Sequence, residues 1–142
     1  FLDRIDIGVE VPRQDLGMMA SEKSIDEGSF PQTEQRNSSA VMRARVMEAR
    51  ARQEKRFADE SISYNSQMTR RQIEKYCRLS GEDVVFLEKV ERHQGISARG
   101  HGKILKVART LADLDGQAEI GRTQLAEAIG FRSFEKKYWG SL

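Results

Sequence analysis

The clearest pattern in the chain is the segment Ser97–Leu114, SARGHGKILKVARTLADL. Ile104, Leu105, Ala108, Leu111 and Ala112 fall at i, i+1, i+4, i+7 and i+8, which draws one apolar stripe along a helix. Ser97 stands where its hydroxyl can accept from a free N–H of the first turn, and Asp115-Gly116 closes the segment. Cations crowd this helix at Arg99, Lys103, Lys106 and Arg109. Arg99 falls in the first turn, where the helix dipole already disfavours positive charge. A bound anion near that helix start would give the arginine a reason to be there.

The rest of the chain reads around this helix. Ile5, Ile7, Val9 and Val11 alternate with Asp6, Gly8 and Glu10, the period of a half-buried strand, which Pro12 ends. Residues 13–37 hold no sustained period and read as a flexible linker. Asn37, Ser38 and Ser39 offer alternative caps for a long helix to about Phe57, with Met42, Val46, Ala49 and Phe57 on its buried side and Gln53 interrupting them. Thr69 and Gln72 have capping-box spacing and open a short helix with Ile73, Tyr76 and Cys77 on its apolar side. Ser80-Gly81 starts a third helix that stops at Gly95, a natural left-handed terminus. After the helix of Ser97, Ile120, Leu125, Ala126 and Ile129 mark a fifth, which runs to about Gly130. The aromatic tail from Phe131 to Trp139 can add a turn or two against the bundle.

The expected fold is therefore all-α, a small bundle of four to five short helices over 38–139. A strand-like segment (1–12) and a linker (13–37) precede it.

Composition narrows the class. The 142 residues suit one domain with a tail, and hydrophobic residues make up only 38%, so part of the chain is expected to be solvated. The single cysteine, Cys77, excludes an internal disulfide and fits a reducing compartment such as the cytoplasm. No apolar run approaches a membrane span and no secretory signal is visible. The start FLDRIDIGVEV, without an initiator Met, suggests a piece of a longer protein.

Net charge is only +2, but it is unevenly spread. Residues 13–35 hold five acids and two bases (−3), whereas residues 36–56 hold seven bases and two acids (+5). The second run reads first as a solvated helix face and second as a surface facing nucleic acid or nucleotide.

Side-chain chemistry excludes more than it offers. His93, His101 and Cys77 lack the ligand-pair spacing of a metal site. No nucleophile, base and orienting group fall together. Gly100 and Gly102 lack the preceding strand and the G-x-x-x-x-G-K-[ST] pattern of a phosphate loop, and read as loosened packing at a helix start. Asp113 and Asp115 read as ordinary chemistry of a helix end. Two arginines, Arg4 and Arg99, remain conspicuous.

FLDRIDIGVEVP, SSAVMRARVMEARARQEKRF, ISARGHGKILKVARTLADL and QLAEAIGFR, in that order and spacing, resemble the C-terminal part of magnesium-chelatase-like AAA+ ATPases of the ComM/YifB type. The likeness covers most of the chain and departs mainly in residues 13–37 and the last dozen. It implies a helical lid (38–139) following an α/β nucleotide-binding core, of which residues 1–12 are the remnant of the last strand, in particles that are rings, usually hexamers, with ATP between subunits. It implies that Arg4, in Leu2-Asp3-Arg4-Ile5-Asp6, is an arginine finger supplied in trans. It likewise implies that Arg99, in Ser97-Ala98-Arg99, is the sensor-2 arginine that meets ATP phosphate. Arg109 matches the A-R-T-[IL]-A-D-L run, where a structural or interface salt bridge is expected.

ATP and Mg²⁺ are thus expected cofactors of the full-length protein and not of this segment. No Walker A lysine, acidic Walker B strand or sensor-1 residue occurs in the 142 residues, so the segment alone is not expected to hydrolyse ATP. The expected partners are further copies in a ring and DNA, through a recombination or branch-migration motor active in natural transformation. Competing readings are a free-standing basic module binding nucleic acid through residues 36–56, and a protein–protein adaptor. Magnesium chelation is less favoured, because no residue here argues for porphyrin metallation.

Overall fold

Hydroxyl caps start four of the helices. Ser38 accepts from the Val41 N–H, Thr69 from Gln72, Ser80 from Asp83 and Ser97 from Gly100. The computed structural model describes residues 4–11 and 38–132, and four of its five α-helices begin at those caps. They are α1 (Ser39–Arg56), α2 (Arg70–Tyr76), α3 (Gly81–Gln94), α4 (Ala98–Leu114) and α5 (Arg122–Gly130), with a 3-10 turn at Asn65–Gln67 between α1 and α2. The capping box of α2 is complete, since Gln72 Oε1 accepts in return from the Thr69 N–H at 2.8 Å. Gly95 ends α3 at φ 69°, a left-handed position that costs glycine nothing.

The helix of Ser97 is the centre of the bundle. α4 packs against α1, α2, the 3-10 turn and α5, while α3 leans on α5. Ile104, Ala108 and Ala112 on α4 are fully buried with Leu125 and Ala128 of α5, and Leu87 of α3 is nearly so. Each large aliphatic side chain withdrawn from water in this way contributes about 1.5–3 kcal/mol. Phe57 and Tyr76 close the α1–α2 side edge to face, with ring centroids 5.3 Å apart. The all-α bundle expected from periodicity is the fold observed among the described residues.

Four expectations change. Ala49 and Phe57 of α1 are buried as expected, but Met42 and Val46 are about half exposed, because only the C-terminal half of α1 lies on the bundle. Gln53, expected to interrupt the stripe, is buried and bonds the Asn65 N–H at 3.1 Å. Residues 5–11 form no strand, for a ladder needs a neighbouring strand and the described residues supply none. Ile7, Val9 and Val11 are instead exposed. The linker 13–37 and the tail beyond Arg132 lie outside the described residues.

The fourth change concerns Asp113, expected to be ordinary helix-end chemistry. Its side chain is fully buried and is the hub of a polar network joining α1, the 3-10 turn and α4. Arg56 grips both carboxylate oxygens, Asn65 Nδ2 donates at 2.8 Å and Arg109 Nη2 lies at 3.2 Å. Asp115, by contrast, is half-exposed and accepts from Gln124 Nε2 at 2.8 Å.

Candidate functional site

The start of α4 gathers Arg99, His101, Lys103 and Lys106 within its first turns. α3 follows the dipole rule, with Glu82 and Asp83 in its first turn, whereas α4 has no acid in its first turn and carries Arg99 there. Gly100 is buried immediately after it. A Cβ at Gly100 would stand 2.7 Å from Ile96 Cγ2, so glycine is required by close approach rather than by loose packing. Gly102 lies under Ile73, where a built Cβ would stand at 3.5 Å, an ordinary contact that does not require glycine. The tight turn holds the Arg99 backbone against the α3–α4 connection while its side chain stays exposed.

Around Arg99 the other polar groups are occupied. His101 Nδ1 and Glu91 Oε1 are 2.6 Å apart. Lys103 Nζ meets Asp6 Oδ1 at 2.8 Å, and Lys106 Nζ donates to the Ser66 carbonyl at 2.8 Å. Arg99 has no ion pair among the described residues. Arg99, Lys103 and Lys106 edge a groove of about 1130 Å³ whose floor is mostly apolar and includes Met68, Ile73 and Leu105. An exposed guanidinium beside such a groove can make forked, charge-assisted bonds to a phosphate oxygen pair.

Arg4 is exposed, outside that groove, and has no ion pair among the described residues. Arg109 is buried as a structural residue. It donates to the carbonyls of Ala118 (2.9 Å) and Gln117 (2.8 Å) and pairs with Asp113, as expected for a salt bridge rather than a ligand. Burial pushes its pKa down and Asp113 pulls it back up. Burial also raises the Cys77 thiol to about 11, which leaves it protonated and unreactive at neutral pH. Among the described residues no three His, Cys, Asp or Glu side chains converge as a metal site.

Residues 36–132 match the family described as "Magnesium chelatase, subunit ChlI C-terminal". The chain belongs to this family. Its relatives include the competence protein ComM of Haemophilus influenzae, 37% identical over 134 residues that cover 94% of this chain and 23% of that protein. The uncharacterized protein YifB of Escherichia coli is 36% identical over 136 residues, covering 96% of this chain and 24% of that one. YifB of Salmonella typhimurium is 35% identical over the same length. The chain thus spans about a quarter of the length of the relatives it matches.

In this magnesium-chelatase C-terminal domain, sequence reasoning reached Arg99 but missed its surroundings. Asp6, Lys103 and Arg132 meet at the same end of α4, although 97 residues separate Asp6 from Lys103 (103 − 6). Only the family likeness, which spans both segments, hinted that they belong together. No helix among the described residues is long and apolar enough to cross a membrane.

Proposed function

We propose that the chain is the lid side of an AAA+ ATPase motor of the ComM/YifB type, working in the cytoplasm as a hexameric ring. Arg99 is the sensor-2 arginine that contacts the phosphates of ATP bound, with Mg²⁺, to the core of its own subunit. Arg4 is the arginine finger offered to the neighbouring subunit. The observation that carries the reading is Arg99 itself: an exposed cation in the first turn of the central helix, unpaired among the described residues, at the edge of a groove. Family membership supports it.

The chemistry follows from charge. As the γ-phosphoryl group transfers, negative charge spreads over its oxygens, and preorganised guanidinium groups stabilise that state more than the ground state. A finger in trans is worth about 10³–10⁵ in rate. A sensor on a lid turns phosphate contact into rigid-body rotation. DNA is the proposed substrate of the motor, in recombination or branch migration. The relative named a competence protein and the exposed arginines of α1 (Arg43, Arg45, Arg50) support that choice over a protein substrate or a chelatase partner.

The test is steady-state ATPase of the full-length protein with Arg99→Ala and, separately, Arg4→Ala. Each is expected to lower turnover by at least about 100-fold. Wild-type rates in both, with rings intact, would overturn the reading.

A further inference from the structure

Lys103 follows Arg99 by one turn of α4, at i+4 and so on the same face, with a rise of about 6 Å between them. Both residues line the same groove. The stem of Lys103 is covered, its side chain being only 16% exposed, and its Nζ meets Asp6 Oδ1 at 2.8 Å. Asp6 lines the groove as well, but its side chain is 61% exposed. An ammonium so far withdrawn from water needs an anion beside it, and this exposed carboxylate supplies one that is loosely held.

The contact crosses a boundary. Asp6 belongs to the segment read as the end of the core and Lys103 to the lid, so rotation of the lid draws the two apart. A pair this exposed offers little resistance. Lys103 then loses its counter-charge, and no other carboxylate of the groove is ready to replace it. Among the described residues the groove holds two more, and both are engaged: Glu74 Oε1 lies 3.2 Å from Arg70 Nε, and Glu91 Oε1 lies 2.6 Å from His101 Nδ1. The anion that accompanies the rotation is the phosphate chain itself, held one turn away by Arg99.

We infer that Lys103 is a second phosphate ligand, kept in reserve by Asp6 and passed from that carboxylate to the nucleotide as the lid turns. The inference rests on the proposed role of Arg99. The guanidinium of Arg99 grips phosphate oxygens as a fixed fork, whereas the Lys103 ammonium is a point charge on a flexible stem and can follow them. Asp6 and phosphate compete for the same ammonium. The two partners of one ion pair therefore act on nucleotide affinity in opposite directions, whereas a contact that merely joined two segments would give both the same sign.

The experiment titrates the full-length protein with a fluorescent, non-hydrolysable ATP analogue and Mg²⁺, with melting temperature and ring assembly as controls. Affinity is the readout because Asp6 neighbours Arg4, whose effect falls on turnover. Lys103→Met is expected to weaken binding about 10-fold or more, the loss of a charge-assisted bond. Lys103→Arg keeps the charge and should stay within about threefold of wild type. Asp6→Asn frees the ammonium and should tighten binding about two- to fivefold. The double variant Asp6→Asn/Lys103→Met should bind like Lys103→Met alone, because Asp6 acts only through the lysine. Weakening by both single variants, wild-type affinity in Lys103→Met, or tightening by Asp6→Asn that persists without the lysine would each overturn the exchange and leave the proposed function standing. Should Lys103→Met fail to assemble, Asp6→Asn decides alone: affinity no tighter than wild type overturns the inference. Wild-type affinity and turnover in Arg99→Ala would remove the underlying reading itself.

Discussion

Replacing Asp113 by Asn tests what holds α1 onto the central helix. The carboxylate is fully buried and takes both guanidinium nitrogens of Arg56, Asn65 Nδ2 and Arg109 Nη2. An amide of the same shape removes the negative charge and points N–H donors at donors. Arg109, with a side chain only 3% exposed, is left without its counter-charge. Removing one partner of a buried pair costs about 3–5 kcal/mol. The lower end applies here, because Arg109 keeps the carbonyls of Gln117 and Ala118 and the Arg56 side chain is 15% exposed. About 3 kcal/mol is a large share of the roughly 5–15 kcal/mol that stabilises a typical domain. For a unit of this size it corresponds to about 12–24 °C in Tm, at 4–8 °C per kcal/mol. Urea unfolding of the 142-residue chain, followed by far-ultraviolet circular dichroism, measures it directly. Asp113→Asn with Arg109→Met should recover part of the loss, because an apolar substitute leaves no uncompensated charge. A loss below about 1 kcal/mol for Asp113→Asn would refute the hub.

Three further outcomes follow from single sites. Gly100→Ala, which gains about 1 kcal/mol in an ordinary helix interior, should here cost about 1–3 kcal/mol by the same urea measurement, because β-branched Ile96 stands where the methyl must go. Hydrogen bonds from Tyr76, Gln72 and Lys75 hold the Glu60 carboxyl at about 2, below its ordinary 4.5. Its contribution is therefore complete above about pH 4.5 and is lost as pH falls towards 2, so Glu60→Gln should flatten the acid limb of urea midpoints measured through that window. Cys77, with its thiol at about 11 and buried, should react with a disulfide reagent at pH 8 far more slowly in the folded chain than in urea.

Helix ends were legible because their signals are local. Ser80, Ser97, the Thr69–Gln72 pair and Gly95 act within four residues of themselves, and each stands where the helices begin or end. Burial was legible only where something covers the stripe. The period that carries Ala49 and Phe57 into the core also passes through Met42 and Val46, which the bundle does not reach. Alternation in Ile5–Val11 describes a surface suited to a sheet, but a strand exists only with a partner. The Asp113 hub and the Asp6–Lys103 tie were not legible, since Asn65, Arg56 and Asp6 come from 48 to 97 residues away and a charge in sequence carries no address. Arg99 was legible for the opposite reason: it offends a local rule, and a cation at a helix start asks for an anion.

The central claim is that Arg99 acts in cis and Arg4 in trans, and mixing two inactive full-length variants tests it most directly. Arg4→Ala subunits keep the sensor and Arg99→Ala subunits keep the finger. Rings reassembled from equal amounts should contain about a quarter of interfaces with both arginines intact. The account predicts that each variant alone is inactive and that the mixture regains ATPase activity approaching that fraction of wild type. A mixture no more active than its components would contradict it.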